Sequence, residues 1–180
     1  MAICNLNNNI LRENNCGYQL GSITMLYFIN SGDLSATTVD TASGQTVSSI
    51  TFNSGGFVYS VEPAKGSANW SDTLVVNDDG TKHRTHQVTF NVLGNLTPEM
   101  ADNVDALSLG KYTVVVQKAD GGYVMLGRLN GLEATTNVLG GSDDNSVTNG
   151  INVTLEADQT EVALPLSDTA IQELLAKKKS

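Results

Sequence analysis

YTVVVQKADGGYVMLGR, the sequence of residues 112–128, places two apolar runs on either side of a short turn. The runs extend from Tyr112 to Lys118 and from Tyr123 to Arg128, and Ala119-Asp120-Gly121-Gly122 joins them. Asp and Gly favour such a turn, because Gly adopts positive φ without strain and Asp bonds its own backbone. The apolar residues nearly fill both faces of the pair, and they are Val114, Val115, Val116, Val124, Met125 and Leu126. We therefore predict a β-hairpin here and place it in the core.

Two other stretches have patterns that are typical of strands. Thr85 to Val92 alternates, which predicts a half-buried strand. Its inward residues would be Val88, Phe90 and Val92, and its outward residues Thr85, Gln87, Thr89 and Asn91. The run from Ile23 to Ile29 is apolar at the positions of both faces, which predicts a strand that is covered on both sides or lies at a subunit contact.

Shorter strands follow at the spacing of a sandwich or barrel. Val47 to Phe52 and Phe57 to Val61 flank Asn53-Ser54-Gly55-Gly56 and are predicted to form a hairpin. Trp70 to Val76 and Ile151 to Glu156 are predicted as further strands.

After residue 97 the spacing of the apolar residues changes to the 3.6-residue period of an α-helix. Thr97 can cap a helix, Pro98 suits its first position, and Gly110 ends it. Its apolar stripe, which is typical of core packing, consists of Met100, Val104 and Leu107. Ser167 can cap a second, short helix that carries Ile171, Leu174 and Leu175.

The pattern predicts a mainly β fold, an antiparallel β-sandwich or half-barrel of about nine or ten strands. One α-helix, at about residues 98–109, flanks it, and a short helix lies near the C-terminus.

The chain has 180 residues, which fits one domain. Residues 1–20 are rich in Asn and predict an N-terminal arm that gains order only against a neighbour. Residues 21–176 form the predicted single β-sandwich domain, and 177–180 a basic tail.

The net charge of −9 argues against tight binding of nucleic acid, where cationic side chains supply most of the affinity. No apolar run approaches the roughly 18 residues that a membrane helix requires, so we expect a soluble protein that does not bind membranes.

Residues that could carry chemistry are few. Cys4 and Cys16 are expected to be free thiols, because neither a CxxC motif nor a histidine cluster accompanies them. His83 and His86 lie three residues apart in a predicted strand, so they should point to opposite faces, both partly exposed, and share no metal. Asp143-Asp144-Asn145 and Asn77-Asp78-Asp79-Gly80 are interpreted as turns rather than calcium loops. The sequence thus predicts no catalytic, cofactor-binding or metal-binding residues, and we expect that the protein is not an enzyme.

The acidic residues are unevenly placed. No Lys or Arg lies between Arg128 and Lys177, where eight acidic residues occur: Glu133, Asp143, Asp144, Glu156, Asp158, Glu161, Asp168 and Glu173. Such a negative surface serves solubility in many proteins. It would equally suit the lining of a conduit that DNA must slide through without being held, because carboxylates repel phosphates.

The segment GKYTVVVQKADGGYVMLGRLNGLEATT, residues 110–136, carries a family resemblance together with the acidic Gly-rich loop from Gly140 to Gly150, Asn152-Val153-Thr154-Leu155 and Leu166-Ser167-Asp168. It resembles small virion proteins of tailed bacteriophages that infect Bacteroides-type gut bacteria, in particular tail-tube-like and neck-ring proteins of crAss-like phages. The resemblance is strongest over about residues 85–175.

This resemblance implies a structural protein of the virion tail or neck, assembled in the host bacterial cytoplasm. Copies would join edge to edge into a homo-oligomeric ring, a hexamer or dodecamer, and contact neighbouring tail, neck or portal proteins. The rings would form part of the DNA ejection channel, with transient passage of DNA and no specific binding. The family implies no individual functional residues.

Two alternatives remain open at this stage. A capsid decoration protein would share the same sequence features. A surface adhesion or glycan-binding β-sandwich would use Trp70, Tyr59 and Tyr123 as stacking faces, although Trp70 is the sole tryptophan.

Overall fold

The computed structural model describes residues 22–42, 44–94, 97–140 and 150–179, which contain eleven strands and two helices. The strands are β1 (Ile23–Asn30), β2 (Leu34–Asp40), β3 (Thr46–Phe52), β4 (Val58–Val61), β5 (Asn69–Val76), β6 (Lys82–Leu93), β7 (Lys111–Lys118), β8 (Tyr123–Leu126), β9 (Leu132–Gly140), β10 (Gly150–Gln159) and β11 (Leu164–Pro165). The helices are α1 (Pro98–Leu109) and α2 (Asp168–Ala176). The predicted N-terminal arm, both cysteines and Asp143-Asp144-Asn145 lie outside the described residues.

Nine of the described strands form one antiparallel sheet, whose two halves face each other. One half has the order β4-β1-β7-β8-β11, and the other has the order β9-β10-β6-β5. They join where Lys111 and Tyr112, at the start of β7, pair with Glu133 and Leu132 of β9. The fold is therefore mainly β, and the predicted sandwich or half-barrel is confirmed.

The main core lies between the two halves. Phe28 of β1 packs edge-on against Phe90 of β6 with ring centroids 5.6 Å apart, which shows that the two halves are in contact. Of the three predicted inward residues of β6, Val88 and Phe90 are fully buried, and Val92 is partly buried against the same core. Other buried residues of this core are Leu26, Tyr112, Val114, Val116, Leu126, Leu132, Ile151, Val153 and Leu155.

A second core covers the opposite face of β1, β7 and β8. The β2–β3 hairpin and α2 pack there, and the buried residues are Tyr27, Ile29, Val47, Ile50, Val58, Val115, Met125, Leu164, Leu166, Ala170 and Leu174. β1 and β7 thus contribute alternate residues to two cores. This explains why both strands are apolar at the positions of both faces, and the predicted burial of β1 on both sides is confirmed.

Both predicted helices are present. The Thr97 hydroxyl accepts a hydrogen bond from the Met100 N–H, Pro98 is the first helical residue, and Gly110 follows the last. No residue of α1 is fully buried, although Met100, Val104 and Leu107 pack against the main core. α1 is therefore attached to the sandwich by one partly exposed stripe, together with hydrogen bonds that Tyr112 donates to the Ala106 carbonyl and Asn137 donates to the Val104 carbonyl and the Ser108 hydroxyl.

The second helix and the residues after it are held more closely. Ser167 caps α2 by accepting from the Ala170 N–H, and Leu174 is fully buried. Beyond the helix, Val58 of β4 donates its N–H to the Lys177 carbonyl and accepts from the Lys179 N–H. The basic residues at the end of the chain thus run alongside β4.

The predicted hairpin between Val47–Phe52 and Phe57–Val61 is wrong. β3 pairs with β2, whereas β4 pairs with β1 in the large sheet. Asn53-Ser54-Gly55-Gly56 does turn the chain, but the Asn53 side chain donates to the Gly32 carbonyl and its N–H to the Asp33 carbonyl. These bonds anchor the turn to the β1–β2 connection. At this turn the chain passes from the β2–β3 hairpin to the large sheet.

β2 and β9 were not predicted. Apolar and polar residues do not alternate regularly along either strand, as the sequences LSATTVD and LEATTNVLG show. β2 pairs with the next strand, β3, and β9 pairs with the next strand, β10. Both strands were missed because their side chains lack the apolar alternation by which a strand is recognised in sequence.

Candidate functional site

One broad surface is formed by the outward side chains of β5, β6 and β10, and we call it the polar face. Neighbouring side chains of β6 and β10 bond to each other along the whole face. The bonds are Thr85 to Asp158 (2.8 Å), Gln87 to Glu156 (2.6 Å), Thr89 to Thr154 (3.1 Å) and Asn152 to Asn91 (2.5 Å). Cross-strand pairs of this kind hold polar side chains in fixed positions.

The polar face is uncharged or acidic. Its outward positions on β5, β6 and β10 include no Lys or Arg, and its carboxylates are those of Glu156 and Asp158. At its border Lys111 is paired with Glu133 at 3.2 Å. Two other carboxylates of the acidic segment are turned inward: Glu161 bonds Arg128, and Glu173 accepts from the Ile50 N–H. The acidic segment is therefore only partly a surface feature within the described residues.

The polar face ends at an open strand edge. β5 pairs over all eight residues with β6, and no described strand pairs with its other side. Its one charged residue, Asp72, is turned toward Arg84 and His86. Monomeric proteins commonly protect such edges with Lys, Pro or a bulge, whereas this edge is a template for another strand.

A cluster of ionisable residues lies inside the sandwich beneath β5 and β6; we call Asp72, Arg84, His86, Arg128 and Glu161 the ion-pair cluster. His86 is 1% exposed, so the prediction of a partly exposed histidine is wrong for this residue. Period-two alternation puts His86 on the same face as Val88 and Phe90, and this signal in the sequence could have revealed its burial. The prediction that the two histidines point to opposite faces holds, because His83 lies 3.5 Å from Asp158 on the polar face.

The hydrogen bonds around His86 define its neutral form. Its Nδ1 accepts from the Gly127 N–H at 3.2 Å, so its Nε2 carries the proton and donates to the Glu161 carbonyl at 3.1 Å. Gly127 has φ +68°, and a Cβ there would lie 2.8 Å from Leu132 Cγ, so this turn requires glycine. Asp72 lies 3.5 Å from His86 Nε2, accepts from Arg84 Nε at 2.5 Å and accepts from the Ala163 N–H at 2.9 Å.

Arg128 and Glu161 form the second ion pair of the cluster. The Arg128 guanidinium donates from Nε to Glu161 Oε1 at 2.7 Å, from Nη2 to Oε2, and from Nη1 to the Thr37 hydroxyl at 3.0 Å. Both side chains are about one-sixth exposed. The pair links the residues after β8 to the β10–β11 connection and to β2. All five cluster side chains bond protein groups. This indicates a structural role, in which the cluster holds together the two halves of the large sheet and the β2–β3 hairpin.

Burial lowers the pKa of His86 below its ordinary value of 6.5, and the Asp72 carboxylate partly opposes this effect. Near pH 6.5 the unfolded chain therefore binds more protons at this site than the folded protein does. His86 should contribute its full stability above pH 6.5 and lose it as the pH falls below 6.5 toward the lower folded pKa. Urea unfolding between pH 5 and 7.5 measures this slope. We expect a smaller slope in a His86→Gln variant, and a slope equal to that of the unmodified protein would contradict the assignment.

An open cavity of about 690 Å³ lies at the other end of the sandwich, between α1, β4 and the ends of β1 and β6. Its walls are mainly apolar, and they include Phe28, Tyr59, Val92, Met100 and Leu107. Glu62 and Asn103 also line it. α1 forms one wall of the cavity, and none of its residues is completely buried.

Asn77-Asp78-Asp79-Gly80 is a turn, as predicted. The Gly80 N–H donates to the Asn77 carbonyl, Gly80 has φ +82°, and Asp79 accepts from the Thr81 N–H. Within the described ranges, no group of three or more His, Cys, Asp or Glu side chains could hold a metal ion. Neither helix in the described part of the chain is long and apolar enough to cross a membrane.

Comparison with known proteins gives no significant match of the chain to a family model, a curated protein or a solved structure.

Proposed function

We propose that this chain is a structural subunit of a tailed-bacteriophage virion, a tail tube or neck-ring protein whose copies form a closed ring around the DNA ejection channel. The polar face carries the proposal. It combines an extended, bonded array of neutral polar side chains with two carboxylates, and its positions on β5, β6 and β10 include no Lys or Arg.

A protein that holds DNA and a channel that lets DNA pass differ in their attraction for phosphate. A protein that holds DNA neutralises phosphates with cationic side chains, and this supplies most of its non-specific affinity. A channel that lets DNA pass needs the opposite property. Hydroxyls and amides that already bond each other, next to Glu156 and Asp158, offer phosphates little attraction. The polar face suits the inner wall of such a channel.

The unpaired edge of β5 provides a surface for the contact between neighbouring subunits of a ring. A ring with rotational symmetry needs a heterologous contact, in which one surface of a subunit meets a different surface of the next. In a ring, pairing with the next copy satisfies an edge that would cause uncontrolled association in a monomer. Neighbouring tail, neck or portal proteins would then meet the two rims of the ring.

The β5 edge gives a direct test. Thr73→Lys combined with Val75→Lys places two charges on the edge strand, and we expect this variant to stay monomeric at concentrations where the unmodified protein forms closed oligomers. Sedimentation velocity measures both states. The matched control is Gln87→Lys with Thr89→Lys, which puts the same charges on the same face of β6, a strand paired on both sides.

We expect the control to assemble like the unmodified protein, and both variants to keep the β-sheet signal in circular dichroism. An edge variant that assembles as well as the control would contradict the role of β5. An unmodified protein that stays monomeric, alone and with its portal or tail partners, would contradict the proposed function.

A further inference from the structure

The tip of the β5–β6 hairpin projects beyond the sandwich. β10 ends where Gln159 pairs with Arg84, whereas β5 and β6 continue for two more residue pairs, Val75 with His83 and Val76 with Lys82. The turn at residues 77–80 closes the hairpin. No described strand flanks β5 on its outer side, so the tip is held by β6 alone.

The projecting hairpin exposes apolar side chains on one face. Leu74 is 53% exposed and Val76 is 56% exposed, and both lie on the face of β5 that carries Asp72. Lys82, the cross-strand neighbour of Val76, makes no ion pair with any described residue. We call Leu74, Val76 and Lys82 the hairpin knob: two apolar side chains next to one unpaired positive charge.

The cavity beside α1 has complementary properties. Its apolar wall includes Phe28, Met100 and Leu107, and Glu62 lies in its lining without an ion pair to any described residue. A volume of about 690 Å³ is within the range of natural binding sites. Its chemistry is thus the counterpart of the knob, an apolar recess with one negative charge.

The knob and the cavity lie at opposite ends of the same strand. Lys82 begins β6, and Val92 and Leu93 at its end line the cavity, about 36 Å away at the rise of an antiparallel strand. One molecule cannot insert its own knob into its own cavity at that separation. Two copies can, head to tail, and repetition of such a contact produces rings or stacked arrays.

We propose that the hairpin knob of one copy of this chain docks into the α1 cavity of the next copy, with Leu74 and Val76 in the apolar recess and Lys82 against Glu62. This inference rests on the proposed function, since it names the contact between copies. It commits to a second copy as the occupant because this chain carries both the apolar knob with its positive charge and the apolar cavity with its negative charge, and the two cannot meet within one molecule.

A charge exchange tests the contact in the full chain. Glu62→Lys and Lys82→Glu each place like charges together, and we expect each to raise the concentration at half-assembly about tenfold. The combined variant restores the pair in reversed order and should return that concentration to within about threefold of the unmodified protein. Recovery in the combined variant is a result that misfolding of the single variants cannot produce.

A second pair of variants tests the cavity. Ala106 lines it on α1, so Ala106→Phe should fill it and weaken assembly. Ala101→Phe makes the same change at an exposed position of the same helix outside the lining, and it should assemble normally.

The outcomes separate the two proposals. If the unmodified chain forms rings and all these variants assemble equally well, the knob contact is wrong and the ring subunit stands. If native mass spectrometry finds a small molecule or another protein retained in the cavity of the assembled chain, the second copy is not the occupant and the inference is overturned. If the unmodified chain never assembles, both the ring subunit and the contact between copies are wrong.

Discussion

Replacing Arg128 with methionine is expected to lower the free energy of unfolding by about 3 to 5 kcal/mol. Arg128 donates to both carboxylate oxygens of Glu161 and to Thr37, and the two ionic side chains are only about one-sixth exposed. Methionine fills much of the same space and removes every donor. The cost then comes from a carboxylate left in a mostly buried site without its counter-ion.

The matched control removes both charges. Arg128→Met with Glu161→Gln leaves no unpaired charge, and we expect it to recover at least half of the lost stability. Urea unfolding monitored by tryptophan fluorescence measures both proteins, because Trp70 lies on β5 near the cluster. Exposed ion pairs typically contribute about 1 kcal/mol or less to the free energy of unfolding. If Arg128→Met alone loses no more than that, the Arg128–Glu161 pair does not hold the fold together.

Phe90→Ala is expected to lower the free energy of unfolding by about 3 to 5 kcal/mol, since it removes a large aromatic group from a packed core. Phe90 is fully buried and packs edge-on against Phe28, so it joins the two halves of the sheet. The loss consists of the transfer free energy of the ring and the cost of the cavity that remains.

Phe57→Ala is the control for this substitution, because Phe57 is 44% exposed. It should cost about 1 kcal/mol or less. Equal losses in the two variants would mean that the halves of the sheet do not meet at Phe90.

The strands that the sequence predicted are those in which local pattern and tertiary environment agree. Residues 112–128 are apolar at the positions of both faces because β7 lies between two cores, and β6 alternates because one of its faces is the polar face. The boundaries of α1 were predictable from Thr97, Pro98 and Gly110, since capping depends on neighbours in sequence.

Two of the features that sequence analysis missed depend on distant partners. The Asn53–Gly56 turn suggested a hairpin, but β4 pairs with β1, whereas β3 pairs with β2. The ion-pair cluster joins residues as far apart as Asp72 and Ala163, and Thr37 and Arg128. The burial of His86 was missed although it shares the alternation of Val88 and Phe90, and nothing in the sequence predicted the partners that make this burial stable.

Negative-stain electron microscopy of the concentrated, unmodified protein tests the ring subunit most directly. We expect end-on views of closed rings with a central hole, or side views of stacked rings, formed by the full chain alone or on its portal or tail partners. Image classes that contain only single particles of one chain, at every concentration and with those partners present, would contradict a role in the ejection channel.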